Sequence, residues 1–396
     1  MTDQKRLCFS RKNKTAFFIF HSSAISYVFH SISLCCITVY GKIICGDTMK
    51  SLYDFNYEQI QQVALAKGWK KYRGHQIFQW LYRKRVTSID EMSDLSKETR
   101  EVLNQEFIIS PLSLKDIQIS SDGTTKFLFA LSDGALIESV LMIFDYGNSV
   151  CVTTQVGCNM GCAFCASGLT KKQRDLTSGE IVAQIMYVQG YLDKKGKRLS
   201  HIVVMGTGEP FDNYDAMMNA LATVNHDRGL GIGARHITIS TCGVVPKIYA
   251  FAKEHVQYNL AISLHAPNDE LRNQLMPINH AYPLAELFEA IHAYCDENNR
   301  RLTFEYILLK GVNDTSECAK QLASLVKGLN AYINLIPYNS VDENGFQGVN
   351  HEHAMIFYDK LMKQNVRCTI RKEHGGDIDA ACGQLRIKHL KKEVQR

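Results

Sequence analysis

A chain of 396 residues, 45% hydrophobic and 21% charged, has material for a large core and is not a disordered or fibrous protein. Its formal net charge is +5, yet residues 1–48 carry six Lys/Arg against Asp3 and Asp47, leaving 39 basic and 38 acidic residues beyond them. The body is nearly neutral, which excludes a global field for nucleic acid and leaves any phosphate contact to local basic patches.

Residues 1–48 stand apart. The run Thr15 to Gly41, 27 uncharged residues, has the length of a membrane span, but serines at 22, 23, 26, 31 and 33 and two histidines break it. A signal peptide would show a shorter, cleaner apolar stretch. Met49 opens an amphipathic pattern at once, so 1–48 reads as a non-native or mis-assigned extension.

Residues 49–110 read as a small helical domain. Tyr57, Ile60, Val63 and Ala64 share one helical face, Ile77, Trp80 and Leu81 another, and Lys67-Gly68-Trp69 breaks between them. Lys70, Lys71, Tyr72, Arg73, His75, Trp80, Tyr82, Arg83, Lys84 and Arg85 mix base with aromatic, which suits phosphate contact and base stacking. A solvated face over core aromatics fits the same residues. Residues 111–149 read as strands, with Lys126–Leu131 and Ala135–Phe144 flanking the hairpin turn Ser132-Asp133-Gly134.

From 150 to 386 strand and helix patterns alternate. Strands are predicted at Val150–Val156, His201–Gly206, His236–Thr241, Asn259–Ala266, Leu302–Gly311, Tyr332–Asn339 and Val366–Glu373. Helices are predicted near 178–193, 214–227, 245–255, 283–298, 315–329 and 350–365, the first opened by a capping box at Thr177 and Glu180. The fold class is α/β, a partial (βα)6 barrel with its ligand site at the strand C-terminal ends. Residues 387–396 form a basic tail.

Thirteen cysteines do not spread into a disulfide framework. Cys158, Cys162 and Cys165 follow the first barrel strand closely, with no second Cys-x2-Cys pair to complete a structural zinc site. Three thiolates can instead hold three irons of a 4Fe–4S cluster and leave the fourth open for the amino and carboxylate groups of S-adenosylmethionine. That spacing resembles the radical SAM signature. Gly206-Thr-Gly-Glu-Pro210 lacks the third glycine of a dinucleotide fingerprint; it fits a tight turn beside a small ligand, with Glu209 toward an ammonium group. Ser240, Ser263, Leu264, His265 and Asn339 end later strands and suit hydrogen bonds to a ribose, carboxylate or adenine, although ordinary loop polarity accounts for such residues too. Cys151 and Cys382 remain, as buried inert thiols or something more.

Together Cys151, Gln155-Val-Gly-Cys158, Met205-Gly-x-Gly-Glu-Pro210, Ser263-Leu-His-Ala-Pro-Asn-Asp269 and Asp377-Ile-Asp-Ala-Ala-Cys-Gly-Gln-Leu385 are similar to the RlmN family, over essentially all of 50–386. The resemblance implies methyl transfer to carbon 2 of an adenine in 23S rRNA (adenine 2503) and in certain tRNAs (adenine 37). It implies one 4Fe–4S cluster on Cys158, Cys162 and Cys165, and two S-adenosylmethionines per turnover. The cofactor would be bound through Gly208, Glu209, Ser240, Ser263, Leu264, His265 and Asn339. Cys382 would carry the methyl group, Cys151 would resolve the RNA adduct through a transient disulfide with Cys382, and Glu138 would take the proton from carbon 2. Leu136, Val140 and Met142 would desolvate that carboxylate.

Lys171, Lys172, Arg174, Arg235, Arg371, Lys372, Arg386, Lys388, Lys391 and Lys392 could grip RNA, or only solvate the surface. A reducing donor such as flavodoxin or ferredoxin, a cytoplasmic location, a monomeric state and no membrane partner complete the expectation. The rival is the Cfr type, which methylates carbon 8; Gln155-Val156-Gly157 and Gly243-Val-Val245 look more like RlmN. A non-catalytic RNA-binding protein with a structural metal, or a radical enzyme acting on protein or small molecules, would fit the cysteine loop but give Cys382 no task. N-terminal sequencing of the native protein is expected to read from Met49; a first residue near Met1 refutes that start.

Overall fold

The computed structural model describes residues 37–39, 42–44, 49–339, 344–372, 374–378 and 384–394. The chain falls into two units, 1–47 and 48–396, described separately. In the first, Ile37–Val39 and Lys42–Ile44 pair as an antiparallel hairpin; most of the uncharged run Thr15 to Gly41 lies outside the described residues. Among the described residues no helix is long and apolar enough to cross a membrane.

The second unit begins with α1 (Tyr57–Ala66), α2 (Lys71–Gln79) and α3 (Lys97–Glu106). Asn56 opens α1 with a reciprocal cap: its side chain accepts the Gln59 N–H at 2.9 Å, and the Gln59 side chain accepts the Asn56 N–H at 2.9 Å. Gly68, at φ +73°, makes the left-handed break before α2. Gly74 lets the two helices touch, since a Cβ there would lie 2.6 Å from the Gln61 Cα. Trp80 and Tyr82 correct the stacking expectation. Both are buried in the core, and the Trp80 indole N–H donates to Asp94. Tyr72, 51% exposed with Arg73 over its ring, is the aromatic left to solvent in that stretch.

These helices dock on the outside of the barrel. Asp54 accepts the Gly179 N–H at 2.7 Å, Asn56 donates to Asn219 at 2.8 Å, and Arg85 pairs with Asp193. Their apolar faces join the main core.

Ten strands then form one sheet in strict chain order. β1 (Leu112–Ile119), β2 (Thr125–Leu131), β3 (Leu136–Phe144) and β4 (Gly147–Cys151) make an antiparallel meander. β5 (Leu199–Val204), β6 (Ile237–Thr241), β7 (Asn259–Ser263), β8 (Leu302–Leu308), β9 (Ala331–Pro337) and β10 (Cys368–Ile370) continue it, each parallel to the strand before. Between the parallel strands lie α4 (Ser178–Asp193), α5 (Tyr214–Asn225), α6 (Val245–Ala252), α7 (Asp269–Leu275), α8 (Leu284–Asn298), α9 (Ser316–Leu325) and α10 (His351–Met362). The result is the open (βα)6 partial barrel. Residues 111–149, expected as a β-hairpin linker region, carry β1 to β3 and most of β4, which extend the barrel's sheet. The basic tail is also structured in part: α11 (Gln384–Val394) runs through it.

The first barrel strand is shorter than its apolar run suggested. β4 stops at Cys151, and Gln155–Val156 pairs antiparallel with Arg174–Asp175 in a separate ribbon. Val152 and Thr154 still donate to Val203 and Thr207 at 3.0 and 3.1 Å, so the chain stays beside β5 while turning out of the sheet. On the meander's outer face Phe127 and Phe129 meet Tyr187 of α4, and Ser139 donates to Gln184 of α4 at 2.8 Å. Lys126, Leu128, Glu138, Val140 and Cys151 therefore line the inner face.

Gly74→Ala is expected to destabilise the fold by about 1–3 kcal/mol, because backbone must move to admit the methyl group. Gly190→Ala, in α4 where a Cβ would meet nothing within 4 Å, should be neutral or stabilise by roughly 0.5–1 kcal/mol. Denaturant midpoints of the two variants check this; equal midpoints would contradict the close approach of α1 and α2.

Candidate active site

The cysteine loop is held at its base by close backbone contacts. Gly157, at φ +81°, leaves no room for a Cβ, which would lie 2.2 Å from the Lys171 carbonyl. Cys158 donates its N–H to Thr170 at 3.0 Å, and Cys165 to Cys162 at 3.1 Å. Ala163 reaches the Leu275 carbonyl at the end of α7, at 2.9 Å. Phe164, Ala166, Cys242, Ala266, Leu275 and Met276 form an apolar bed, against which Cys162 and Cys165 pack.

Burial pushes the Cys158 thiol up to about 11 and raises that of Cys162 further. The Cys165 charge and the Glu209 carboxylate push both in the same direction. Three thiols thus share one electrostatic space in which thiolates need a cation to be stable. Iron meets that need, and the soft sulfur donors Cys158, Cys162 and Cys165 match the chemistry of the implied cluster, whose three irons would each take one thiolate rather than share a single metal position. Among the described residues no three His, Cys, Asp or Glu side chains converge as a site for a metal ion. No disulfide joins two described cysteines.

Around this loop the strand ends converge. Gly206 packs where a Cβ would lie 2.6 Å from the Val152 carbonyl, and Gly208, at φ +110°, lies against Gln155. Glu209 is 3% exposed; its oxygens accept the N–H groups of Phe211 at 2.9 Å and Cys242 at 2.8 Å. Burial raises its carboxyl above the usual range despite those donors. Two backbone donors thus hold Glu209 in place, a structural post that the Gly-x-Gly-Glu spacing did not reveal. The Ser240 and Ser263 hydroxyls meet at 3.2 Å.

Leu264 is wholly buried, and its N–H donates to the Glu305 carbonyl at 3.0 Å. His265 takes a left-handed φ of +59° and accepts the Ile307 N–H on Nδ1 at 3.1 Å. Burial, with help from Arg272, lowers its imidazole to about 3, so the ring is neutral and carries its proton on Nε2. Tyr338 donates its hydroxyl to the Phe164 carbonyl at 3.1 Å, tying the end of β9 to the cysteine loop. Asn339 follows, exposed.

On the meander, Glu138 is buried and ion-paired to Lys126 at 3.0 Å, the lysine itself fully inaccessible. The apolar surroundings expected for Glu138 are corrected by that buried cation. Cys151 sits across from Val140, diagonal to Glu138 on the same face. Arg386, in the first turn of α11, donates its N–H to Glu138 and its guanidinium to Thr170 at 3.2 Å. One residue therefore touches both the carboxylate and the cysteine loop. Cys382 lies outside the described residues.

Comparison with known proteins decides the family. The radical SAM superfamily matches residues 152–322, and the ribosomal RNA large subunit methyltransferase N-terminal domain matches 50–109. A probable dual-specificity RNA methyltransferase RlmN of Listeria welshimeri is 56% identical, covering 86% of this chain and 95% of its own length. A protein of that same name from Streptococcus sanguinis is 56% identical over 87% of this chain and 97% of its own. The chain belongs to the RlmN family. A solved radical SAM methyltransferase from Sphaerobacter thermophilus superposes with a TM-score of 0.82 at 42% identity, over 85% of this chain and 98% of that one.

Within this RlmN-family fold several expected RNA-gripping bases prove to be braces. Lys172 pairs with Asp175 and Asp212, and Arg174 forks onto Glu180 at 2.8 Å while also holding Asp133. Lys171, Arg235 and Lys372 remain exposed. The sequence reading missed Lys126, Arg272 and Glu305. Glu305, buried on β8, accepts from Asn334 at 3.0 Å; burial raises its carboxyl, opposed by the Arg371 charge. No periodicity marks a charged residue as inward-facing.

Lys126→Met is expected to cost roughly 3–5 kcal/mol by removing the buried cation of Glu138. Adding Glu138→Gln should recover most of that loss, since the neutral amide no longer needs the ammonium. Unfolding curves for the single and double variants test this; losses that simply add would show the pair is not coupled.

Proposed function

We propose that this radical SAM enzyme methylates RNA at carbon 2 of adenine, at adenine 2503 of 23S rRNA and adenine 37 of certain tRNAs. One arrangement carries the reading: Glu138 and Cys151 are diagonal neighbours on the inner face, and α11, beginning two residues after Cys382 in sequence, docks its first turn on Glu138. Carbon 2 of adenine is electron-poor and a weak nucleophile, so it calls for radical addition rather than direct attack on a sulfonium.

Cys158, Cys162 and Cys165 would hold the 4Fe–4S cluster, with Gly208, Glu209, Ser240, Ser263, Leu264, His265 and Asn339 around S-adenosylmethionine. When bound, the cluster supplies an electron that splits the sulfonium and yields a 5′-deoxyadenosyl radical. Cys382 takes a methyl group from a first S-adenosylmethionine by displacement; a second serves the radical step. The hydrogen is drawn from that methyl group, and the carbon left on Cys382 adds to the base. Glu138 would accept the proton of carbon 2 as the adduct radical gives up its one unpaired electron, which the oxidised cluster would take back, and its carboxylate is aligned by Lys126 and the Arg386 N–H. Cys151 would attack the Cys382 sulfur, forming the disulfide and breaking the sulfur–carbon bond, and the released carbon would take one proton to become the methyl group; an external dithiol would then reduce the disulfide. The reading includes a monomeric, cytoplasmic enzyme, a flavodoxin or ferredoxin donor and base extrusion from the RNA.

Anaerobic turnover of iron-loaded protein with an rRNA fragment and methyl-labelled S-adenosylmethionine is expected to place the label on carbon 2. A label on carbon 8 overturns the assignment. Glu138→Gln should slow product release about 10²–10⁴-fold, the range of a lost general base. Cys382→Ala should form no product, and full activity in it would remove the two-thiol route.

A further inference from the structure

Arg272 is among the largest side chains buried completely among the described residues, at 0% exposure. It leaves α7 and spans three strand-end positions. Nε donates to the Leu264 carbonyl at 3.3 Å, Nη2 to the Cys242 carbonyl at 2.7 Å, and Nη1 to the Asn279 side chain at 2.7 Å. All three acceptors are neutral. Among the described residues no carboxylate lies within ion-pair distance of the guanidinium.

A guanidinium keeps its charge at any working pH, and burying one without an anion costs several kcal/mol. Two carboxylates stand one step removed. Asp269 is reached through Asn279, which donates to it at 2.8 Å, and Glu209 lies beyond Cys242, whose N–H it accepts. On the remaining side is the cysteine loop. Leu275 and Met276, just past Arg272, belong to the bed under Cys162 and Cys165, and the Leu275 carbonyl accepts the Ala163 N–H. Cys242, whose carbonyl takes the arginine's Nη2, belongs to the same bed.

We infer that Arg272 is the fixed counter-charge of the cluster: its guanidinium, seated under the loop of Cys158, Cys162 and Cys165, favours the reduced state over the oxidised one. This rests on the assignment of those cysteines as the iron ligands. Three thiolates leave a 4Fe–4S cluster anionic, and the electron it accepts adds one further negative charge. A buried cation a short distance away stabilises the product of that step more than its starting state. Arg272 is thus a positioning residue for charge that acts without touching substrate.

The test is the midpoint potential of the reconstituted full chain, without S-adenosylmethionine, titrated with dithionite as the one-electron source and followed by electron paramagnetic resonance. Iron content and the absorption band of the cluster are read on the same samples. Arg272→Gln is expected to retain iron but become harder to reduce, by about tenfold in the equilibrium, or about 59 mV for one electron. Arg272→Lys keeps the charge and should stay within about threefold of the parent protein. An iron-loaded Arg272→Gln with unchanged potential overturns the inference. Should that variant yield no iron-loaded protein, Arg272→Lys decides. A tenfold shift there, with the charge retained, refutes the electrostatic role, and a parental potential supports it. If the parent chain itself binds no iron, it is the ligand assignment that fails, and the two failures are distinct.

Discussion

The pairing of β4 on its two edges is the constraint from which the site follows. One edge runs antiparallel to β3, setting Cys151 across from Val140; the other runs parallel to β5, setting Cys151 beside Val203. A strand that closes a meander and opens a barrel places both on one curved sheet with a common inner face. A shift of one residue in β4 would turn Cys151 outward, toward α4, and part it from Glu138, which its own pairing with β2 keeps on the inner face. The ribbon that follows turns the cysteine loop back over the strand ends, so that Arg386 can reach Glu138 and Thr170 at once.

Much of this was legible in the residues. The alternation of strand and helix from 150 onward located every barrel strand, and the cap at Thr177 and Glu180 opens α4 as its spacing indicated. The three-cysteine spacing and the Gly-x-Gly-Glu turn both lie at strand ends. Less legible was where an apolar run stops being a strand. Val150–Val156 reads as continuous, yet its last residues pair with Arg174–Asp175, far along the chain, and no local pattern reports such a partner.

Buried charge was the other blind spot. Lys126 opens an unbroken apolar run, where a lysine reads as the end of the strand, and the diagonal Glu138 on the next strand explains why it points inward. Arg272 sits in a short polar helix and reads as surface. Trp80 and Tyr82, interleaved with basic residues, read as a stacking platform but fill the core, because Tyr82 packs on Tyr53 and Phe78 and the Trp80 indole N–H is taken by Asp94. In each case a long-range neighbour outweighed the local composition.

A sheet whose spatial order repeats its chain order can be assembled as the polypeptide emerges, each strand docking on its predecessor. The bond from Arg386 to Glu138 escapes that scheme, spanning 248 residues. During synthesis the carboxylate therefore waits for the ribosome to deliver almost the whole message before its last partner arrives. Nascent chains that stop short of α11 have every strand of the sheet yet lack the helix whose first turn covers the Glu138 carboxylate, so that buried charge gains this donor only on finished molecules.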